Sequence, residues 1–252
     1  MNRDTLRQIL VIVALVAMIV VNGLANALPL NGLNTGEISD RFDVYFVPAG
    51  YVFSIWGLIY LALALFAVYQ ALPAQRENPR LRRIGYLFVL SCAANIAWIF
   101  LWHNLQFPLT LVAMLLLLGW LIAIYLHLGT GRSHASAAET WCVRVPFSIY
   151  LGWITVATVA NVTSLLDFLQ WGGWGIAPQA WAAIMLVAAT VITAAVALTR
   201  GDIAYVLVII WAFVGIALKH AATATVAITA WAMAALAAVL GAVGALLRRS
   251  GA

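Results

Sequence analysis

Charged residues are scarce in this 252-residue chain. Asp, Glu, Lys and Arg together make up 8% of it, while hydrophobic residues make up 65%. Soluble domains carry about 25% charged residues. Mean hydropathy is accordingly high, at +1.04. The composition excludes an ordinary soluble domain and favours an integral membrane protein.

Cysteine and metal-binding patterns are also nearly absent. Cys92 and Cys142 lie in or beside apolar runs, without metal-type spacing, and are interpreted as ordinary thiols. No histidine pair has ligand spacing, and we expect each ring to be solvated or interfacial. The four are His103, His127, His134 and His220. The sequence therefore predicts no metal site, requires no cofactor and contains no ordinary hydrolytic constellation.

Long apolar runs are what the chain does have. A helix needs about 20 apolar residues to cross a bilayer. Eight runs reach or approach that length, and the seventh is the weakest: 8–28, 48–71, 84–104, 108–128, 143–166, 178–198, 203–219 and 224–247. The sequence therefore predicts an all-α polytopic membrane helix bundle with about eight transmembrane helices.

The N-terminus allows two interpretations. A basic start, the apolar run ILVIVALVAMIVV and the small-residue stretch Ala25-Asn26-Ala27 are typical of a secretory signal cleaved after residue 27. They are equally typical of a first transmembrane helix, because apolar character continues to Leu30. Both interpretations leave the rest of the topology unchanged.

Basic residues are distributed unequally between the two sides of the predicted bundle. Eight spans place both termini on one side, and only Arg41 and Lys219 fall on the other. The cytoplasmic side of a membrane protein carries the excess of Lys and Arg. We therefore expect a plasma (inner) membrane protein with cytoplasmic termini, loop 31–46 outside and no nucleic-acid partner. The eleven residues on the terminal side are Arg3, Arg7, Arg76, Arg80, Arg82, Arg83, Arg132, Arg144, Arg200, Arg248 and Arg249.

No acid or base occupies the centre of a predicted span. Glu139, Asp167, Asp202 and Lys219 all fall at span ends. Ion-coupled carriers commonly place such a group deep in the membrane. The pattern argues against proton or sodium coupling and leaves passive movement of a small apolar solute open.

Three predicted helices share one pattern, in which large aromatic side chains lie on the same helix face as a polar group. Residues three and four apart lie on one face, and a rise of about 1.5 Å per residue puts several of these residues roughly 13 Å below the outer surface. Such a layer is either a ligand pocket or structural packing, and Phe42, Tyr45 and Phe46 of the loop above it form a candidate lid. The stripes are Phe53, Trp56 and Tyr60; Asn95, Trp98 and Trp102; and Tyr150, Trp153, Ala157 and Asn161.

At these residues the chain resembles the TspO/MBR family of tryptophan-rich sensory proteins, which are related to the translocator protein. Three blocks in order carry the likeness: PAGYVFSIWGLIY (48–60), NIAWIFLWHNLQFPLTLV (95–112) and PFSIYLGWITVATVAN (146–161). The likeness covers residues 1–166. Trp102-His103 replaces a Phe pair of the family pattern, and three further helices have no counterpart in the five-helix members.

The resemblance implies a TspO/MBR-like five-helix bundle over residues 1–170 and a C-terminal extension of about three helices over 171–252. It implies a pocket for porphyrin, haem-type or other tetrapyrrole ligands. The ligand residues implied are Phe53, Trp56, Tyr60, Asn95, Trp98, Trp153, Ala157 and Asn161, to which Tyr150 is added as a hydrogen-bonding group.

Several functions remain open. The primary expectation is a binding protein that senses, handles or transports an apolar aromatic ligand. A carrier of small apolar solutes is one alternative. The resemblance also leaves open light-dependent porphyrin breakdown, with Trp56 and Trp153 as electron-transfer residues. Besides lipid and ligand, a homodimer partner is considered, because the alanine-rich faces of 180–198 and 230–247 suit either internal packing or a second subunit.

Overall fold

The computed structural model of the protein describes residues 2–28 and 30–250, without the side chains of Arg249 and Ser250. Three parts of the sequence predictions thus lie outside the described part: the side chain of the predicted cytoplasmic base Arg249, Met1 at the start of the predicted first domain and residues 251–252 at the end of the second. All regular elements within it are helices. The predicted all-α class is confirmed.

Ten α-helices follow one another along the described chain, joined by turns and loops. α6 continues through one π-helical turn, Thr140–Arg144, into α7, and a 3-10 turn, Gly50–Ser54, precedes α3. The helices are α1 Arg3–Ala27, α2 Thr35–Ser39, α3 Ile55–Ala71, α4 Pro79–His103, α5 Phe107–Leu128, α6 Ala137–Glu139, α7 Val145–Phe168, α8 Pro178–Arg200, α9 Ile203–Lys219 and α10 Ala224–Ser250.

Seven helical stretches are long and apolar enough to cross a membrane: Arg3–Ala27, Gly50–Ala71, Pro79–His103, Phe107–Leu128, Ala137–Phe168, Pro178–Arg200 and Ala224–Arg248. The remaining predicted span is α9, an apolar helix of 17 residues. At about 1.5 Å per residue its rise is about 26 Å, slightly less than a hydrocarbon core of about 30 Å. A multi-pass membrane bundle is thus confirmed through seven helical stretches, and the eighth predicted span, α9, is shorter than these seven.

The chain divides into two compact units, and the first contains residues up to Ile38 together with Trp56–Leu151. In this unit α4 packs against both α1 and α5. Its aromatic centre consists of Phe66, Phe88 and Phe147, whose ring centroids lie 4.9 to 5.7 Å apart in edge-on pairs. Edge-to-face packing is a favourable arrangement of aromatic rings.

The second unit contains Ser39–Ile55 and the residues from Gly152 onward. Here α10 packs against α8 and α9. Glycines permit the close approach: a Cβ on Gly241 would lie 3.0 Å from Val206, and one on Gly244 would collide with the Ala197 carbonyl. Small residues of α10 therefore serve packing within this unit. The predicted domain boundary near residue 170 stays a prediction.

Candidate functional site

A buried amide on α4 is the centre of the polar network in the first unit. Asn95 is 0% exposed. Its Nδ2 donates to the Tyr150 hydroxyl at 3.1 Å, and its Oδ1 accepts from Asn22 Nδ2 at 2.7 Å. Two predicted ligand residues, Asn95 and Tyr150, are thus joined by a hydrogen bond among apolar helices, where a polar side chain needs such a partner.

The direction of this network is set by a main-chain carbonyl. Asn22 Nδ2 also donates to the carbonyl oxygen of Met18, at 2.8 Å. Because a carbonyl only accepts, the NH2 end of Asn22 must face it, and the second N–H then points to the Asn95 oxygen. Asn95 consequently presents its own NH2 to Tyr150. Asn22 is missing from the predicted site, although an amide inside apolar run 8–28 is a signal that could have identified it.

Two half-buried rings of α3 lie beside this network. Trp56 and Tyr60 are stacked, with centroids 5.5 Å apart and an interplanar angle of 27°. Trp56 also meets Tyr150 edge-on at 6.0 Å. Three predicted ligand rings therefore contact one another within the first unit, and two of them keep accessible surface.

The C-terminal end of α4 carries a second aromatic group. Trp98 and Trp102 stack with centroids 5.3 Å apart, and Phe107 meets Trp102 edge-on at 5.4 Å. Trp102 is only 4% exposed. Its Nε1 donates to the Thr35 carbonyl at 3.2 Å. Trp102 therefore packs inside the protein, whereas an interfacial tryptophan typically faces lipid headgroups.

His103 contradicts the expectation of a solvated or interfacial ring, because it is 0% exposed. Its Nε2 lies 3.1 Å from the Thr35 hydroxyl and its Nδ1 lies 3.3 Å from the Leu30 carbonyl. Since that carbonyl only accepts, Nδ1 carries a proton in this contact. The physical reason for the burial is that the segment after α1 folds onto the end of α4, where Asn31 Nδ2 also donates to the His103 carbonyl at 2.8 Å.

Phe53 and Trp153 form the corresponding ring pair of the second unit. Their centroids lie 5.7 Å apart, edge-on. Phe53 belongs to the 3-10 turn, and α3 begins only at Ile55, so the predicted single helical stripe from Phe53 to Tyr60 is wrong at its first member. The cause is that the Val52 carbonyl accepts from the amide of Ile55 and from Trp211 Nε1, the latter at 3.1 Å.

The second-unit part of α7 carries the remaining predicted ligand residues. Trp153 and Asn161 are each 3% exposed, and Ala157 between them is half-buried. Their spacing of four residues places all three on one helix face. A polar contact lies nearby in sequence, where the Tyr205 hydroxyl of α9 donates to Thr155 Oγ1 at 3.1 Å.

The lid segment, defined here as residues 39–47, is attached to α8 and to the end of α9. Gln179 Nε2 donates to the Tyr45 hydroxyl at 3.0 Å, and the Tyr45 ring lies 5.2 Å from His220. Lys219 Nζ and Asp40 Oδ1 form an ion pair at 2.7 Å. Of the three predicted lid residues, Phe42 and Tyr45 are half-buried and Phe46 is buried.

The turn after the lid segment is built onto α9. The Ala49 amide donates to the Gly215 carbonyl at 3.1 Å. A Cβ on Gly215 would collide with Val52, so only glycine leaves room for this turn. Tyr51 meets Trp211 edge-on at 5.4 Å. Trp211 thus holds the start of the block 48–60, which carries part of the family likeness.

Charged side chains of the first unit form partly buried pairs near helix ends. Glu139 is 8% exposed and accepts from Arg80 at 2.6 Å and from Arg144 at 3.5 Å. Arg7 is 2% exposed and pairs with Asp4 at 3.1 Å. Within residues 2–28 and 30–250, no group of three His, Cys, Asp or Glu could hold a metal ion.

Together these features define a polytopic α-helical membrane protein with a buried amide–phenol network and half-buried aromatic rings beside it. The chain belongs to the TSPO-like protein family, whose model matches residues 8–243. The match includes α8, α9 and most of α10, which were without a counterpart in the five-helix members. Comparison with curated proteins found no match, and neither did comparison with solved structures.

Proposed function

We propose that the protein binds an apolar aromatic ligand of the porphyrin or tetrapyrrole class, for sensing, handling or transport. The observation that carries this proposal is the stacked pair Trp56–Tyr60, which keeps accessible surface beside the hydrogen-bonded pair Asn95–Tyr150. Membership of the TSPO-like family supports it.

The chemistry of these groups suits a flat macrocycle. Indole and phenol rings stack on an aromatic face with a gain of about 0.5–1.5 kcal/mol each beyond the burial of area. One N–H of Asn95 is used by Tyr150, and because the residue is 0% exposed, its second N–H is proposed to reach an acceptor on the ligand only after neighbouring side chains move. Trp98, 9% exposed, is proposed to support this site from α4.

The proposed setting is the plasma (inner) membrane, with both termini cytoplasmic and the ligand in the outer half. The bias of eleven basic residues against two supports this orientation. Lipid and a tetrapyrrole are the proposed partners, and a homodimer stays a prediction. The other predicted ligand residues, Phe53, Trp153, Ala157 and Asn161, belong to the second unit and call for separate variants.

Titration of purified protein in nanodiscs with protoporphyrin IX, followed by tryptophan quenching, tests the proposal. We expect saturable binding, with a Kd that rises about five- to tenfold in Trp56→Phe and in Asn95→Ala, which corresponds to about 1 kcal/mol of lost stacking or hydrogen bonding. Trp231→Phe is the matched control, because that ring is 48% exposed on α10. A wild-type Kd in both site variants would refute the assignment.

Light-dependent porphyrin breakdown is a second candidate, favoured by the contacts of Trp56 with two phenols. An indole that gives an electron to an excited porphyrin could regain one from Tyr60 or Tyr150, whose ring centroids lie 5.5 and 6.0 Å away. Illumination of the complex in air decides the matter. Loss of porphyrin absorbance that is faster than without protein and slower in Trp56→Phe supports assisted breakdown, and loss at the protein-free rate rules it out.

A further inference from the structure

His220, at the end of α9, has unusual surroundings. The lid segment lies against it, with the centroid of the Tyr45 ring 5.2 Å from that of the His220 ring. The Nε2 of His220 is buried and has no hydrogen-bond partner among the residues that the structure describes. A proton added to Nε2 would therefore have no acceptor while the segment is in place.

Two charged groups have opposite effects on the pKa of this ring. Lys219, the neighbour in sequence, disfavours a positive imidazole, whereas Asp43 of the lid segment favours it. Lys219 is itself paired with Asp40. The largest influence is burial, which lowers the pKa of His220 below its ordinary value.

We propose that His220 is a proton-sensitive latch, which holds the lid segment on α8 and α9 while it is neutral and releases the segment when it is protonated. Protonation adds a charge and a second N–H donor in a place with no acceptor for it. Releasing the segment lets water solvate both. This inference concerns the lid segment alone and does not depend on the proposed ligand.

The pH range of the latch follows from linkage. In the released state the ring has an ordinary pKa of about 6.5, and in the held state its pKa is lower. The free energy that favours the held state is therefore greatest above about pH 6.5. It decreases as the pH falls towards the lowered pKa of held His220, and it stays constant below that pKa. Each unit of difference between the two pKa values changes the opening equilibrium about tenfold.

The release should be confined to the lid segment. The next turn is held by contacts without titrating groups, namely the bond from the Ala49 amide to the Gly215 carbonyl and the bond from Trp211 to the Val52 carbonyl. The Lys219–Asp40 pair is partly exposed, and such pairs are weak and screened by salt. Residues 50–54 thus provide an internal reference for any measurement on residues 40–47.

Hydrogen exchange of the full-length protein in nanodiscs at pH 7.5 and 5.0, corrected for intrinsic exchange rates, tests the latch. We expect protection of residues 40–47 to fall about tenfold on acidification and protection of 50–54 to stay constant. His220→Gln should abolish the pH dependence, whereas His127→Gln, which changes an exposed histidine on α5, should retain it. Constant protection in the wild type, or an unchanged response in His220→Gln, would overturn the proposal.

Two charge variants test the same ring while leaving His220 in place. Lys219→Gln removes the repelling charge, so the pKa of held His220 should rise towards its ordinary value and the fall in protection of residues 40–47 between pH 7.5 and 5.0 should become about threefold smaller. Asp43→Asn removes the attracting charge and should make that fall larger by a similar factor. Opposite changes in the size of the fall support the latch even if His220→Gln does not fold, and an unchanged fall in both variants refutes it.

Discussion

At the scale of single residues, the orientation of Asn95 depends on a residue of another helix. An isolated amide in an apolar bundle could point either end at Tyr150. Asn22 removes that freedom, because its NH2 group is committed to the Met18 carbonyl and therefore meets the oxygen of Asn95. A buried network with every bond directed in this way specifies a single arrangement.

We therefore expect Asn22→Leu to lower the free energy of unfolding by about 1 kcal/mol, because Asn95 Oδ1 loses its donor in a buried site. Thermal unfolding in a defined detergent, with the wild type measured alongside, checks this value. Asn104→Ala is the control, since that amide is exposed at the end of α4 and should change stability by less than about 0.5 kcal/mol. Equal stability of Asn22→Leu and the wild type would contradict the role assigned to the network.

At the scale of elements, α9 is a short apolar helix that makes many contacts within the protein. Its buried residues are nine of 17: Tyr205, Val206, Val208, Ile209, Ala212, Phe213, Gly215, Ile216 and Ala217. A helix that is largely surrounded by protein depends less on matching the bilayer thickness than one that faces lipid. The same helix holds the turn at 49–52 and contacts the lid segment. The buried residues of α9 and its contacts with residues 49–52 and the lid segment together account for its position in the bundle.

A pair of glycine variants tests the attachment of this turn. Gly215→Ala places a methyl group against Val52 and should destabilise the protein by about 1–3 kcal/mol through overpacking. Gly57→Ala, on α3, meets nothing within 4 Å and should stabilise it by about 0.5–1 kcal/mol through helix propensity. Thermal unfolding of both in the same detergent gives the comparison. Stabilisation by Gly215→Ala would mean that the turn does not pack on α9 as described.

The sequence predicts the positions of the helices better than it predicts the contacts of their side chains. Periodicity and hydropathy report what lies within one segment, and the predicted run 203–219 coincides with α9 as observed. The surroundings of Phe53 and His103 were missed because distant residues determine them. Trp211 takes a carbonyl of the turn that contains Phe53, and Thr35 covers His103. No pattern inside either segment indicates those partners.

At the scale of the whole molecule, each unit has its own buried polar contact. In the first unit it joins Asn22, Asn95 and Tyr150, and in the second it joins Tyr205 to Thr155. The family match runs through both units. Most groups in these contacts are amides and hydroxyls of spanning helices, which need no counter-ion in an apolar medium. Charges are instead concentrated at helix ends, where they can determine how the chain is oriented.

The orientation of the protein in the membrane follows from its basic residues. Their bias of eleven against two predicts cytoplasmic termini and an outer lid segment. In a chain with Cys92 and Cys142 replaced by Ala, Asp43→Cys should react with a membrane-impermeant maleimide on intact cells, because Asp43 is exposed in the lid segment. His134→Cys, equally exposed between α5 and α6, should react only after permeabilisation. Labelling of His134→Cys alone on intact cells would reverse the topology and place the lid segment in the cytoplasm.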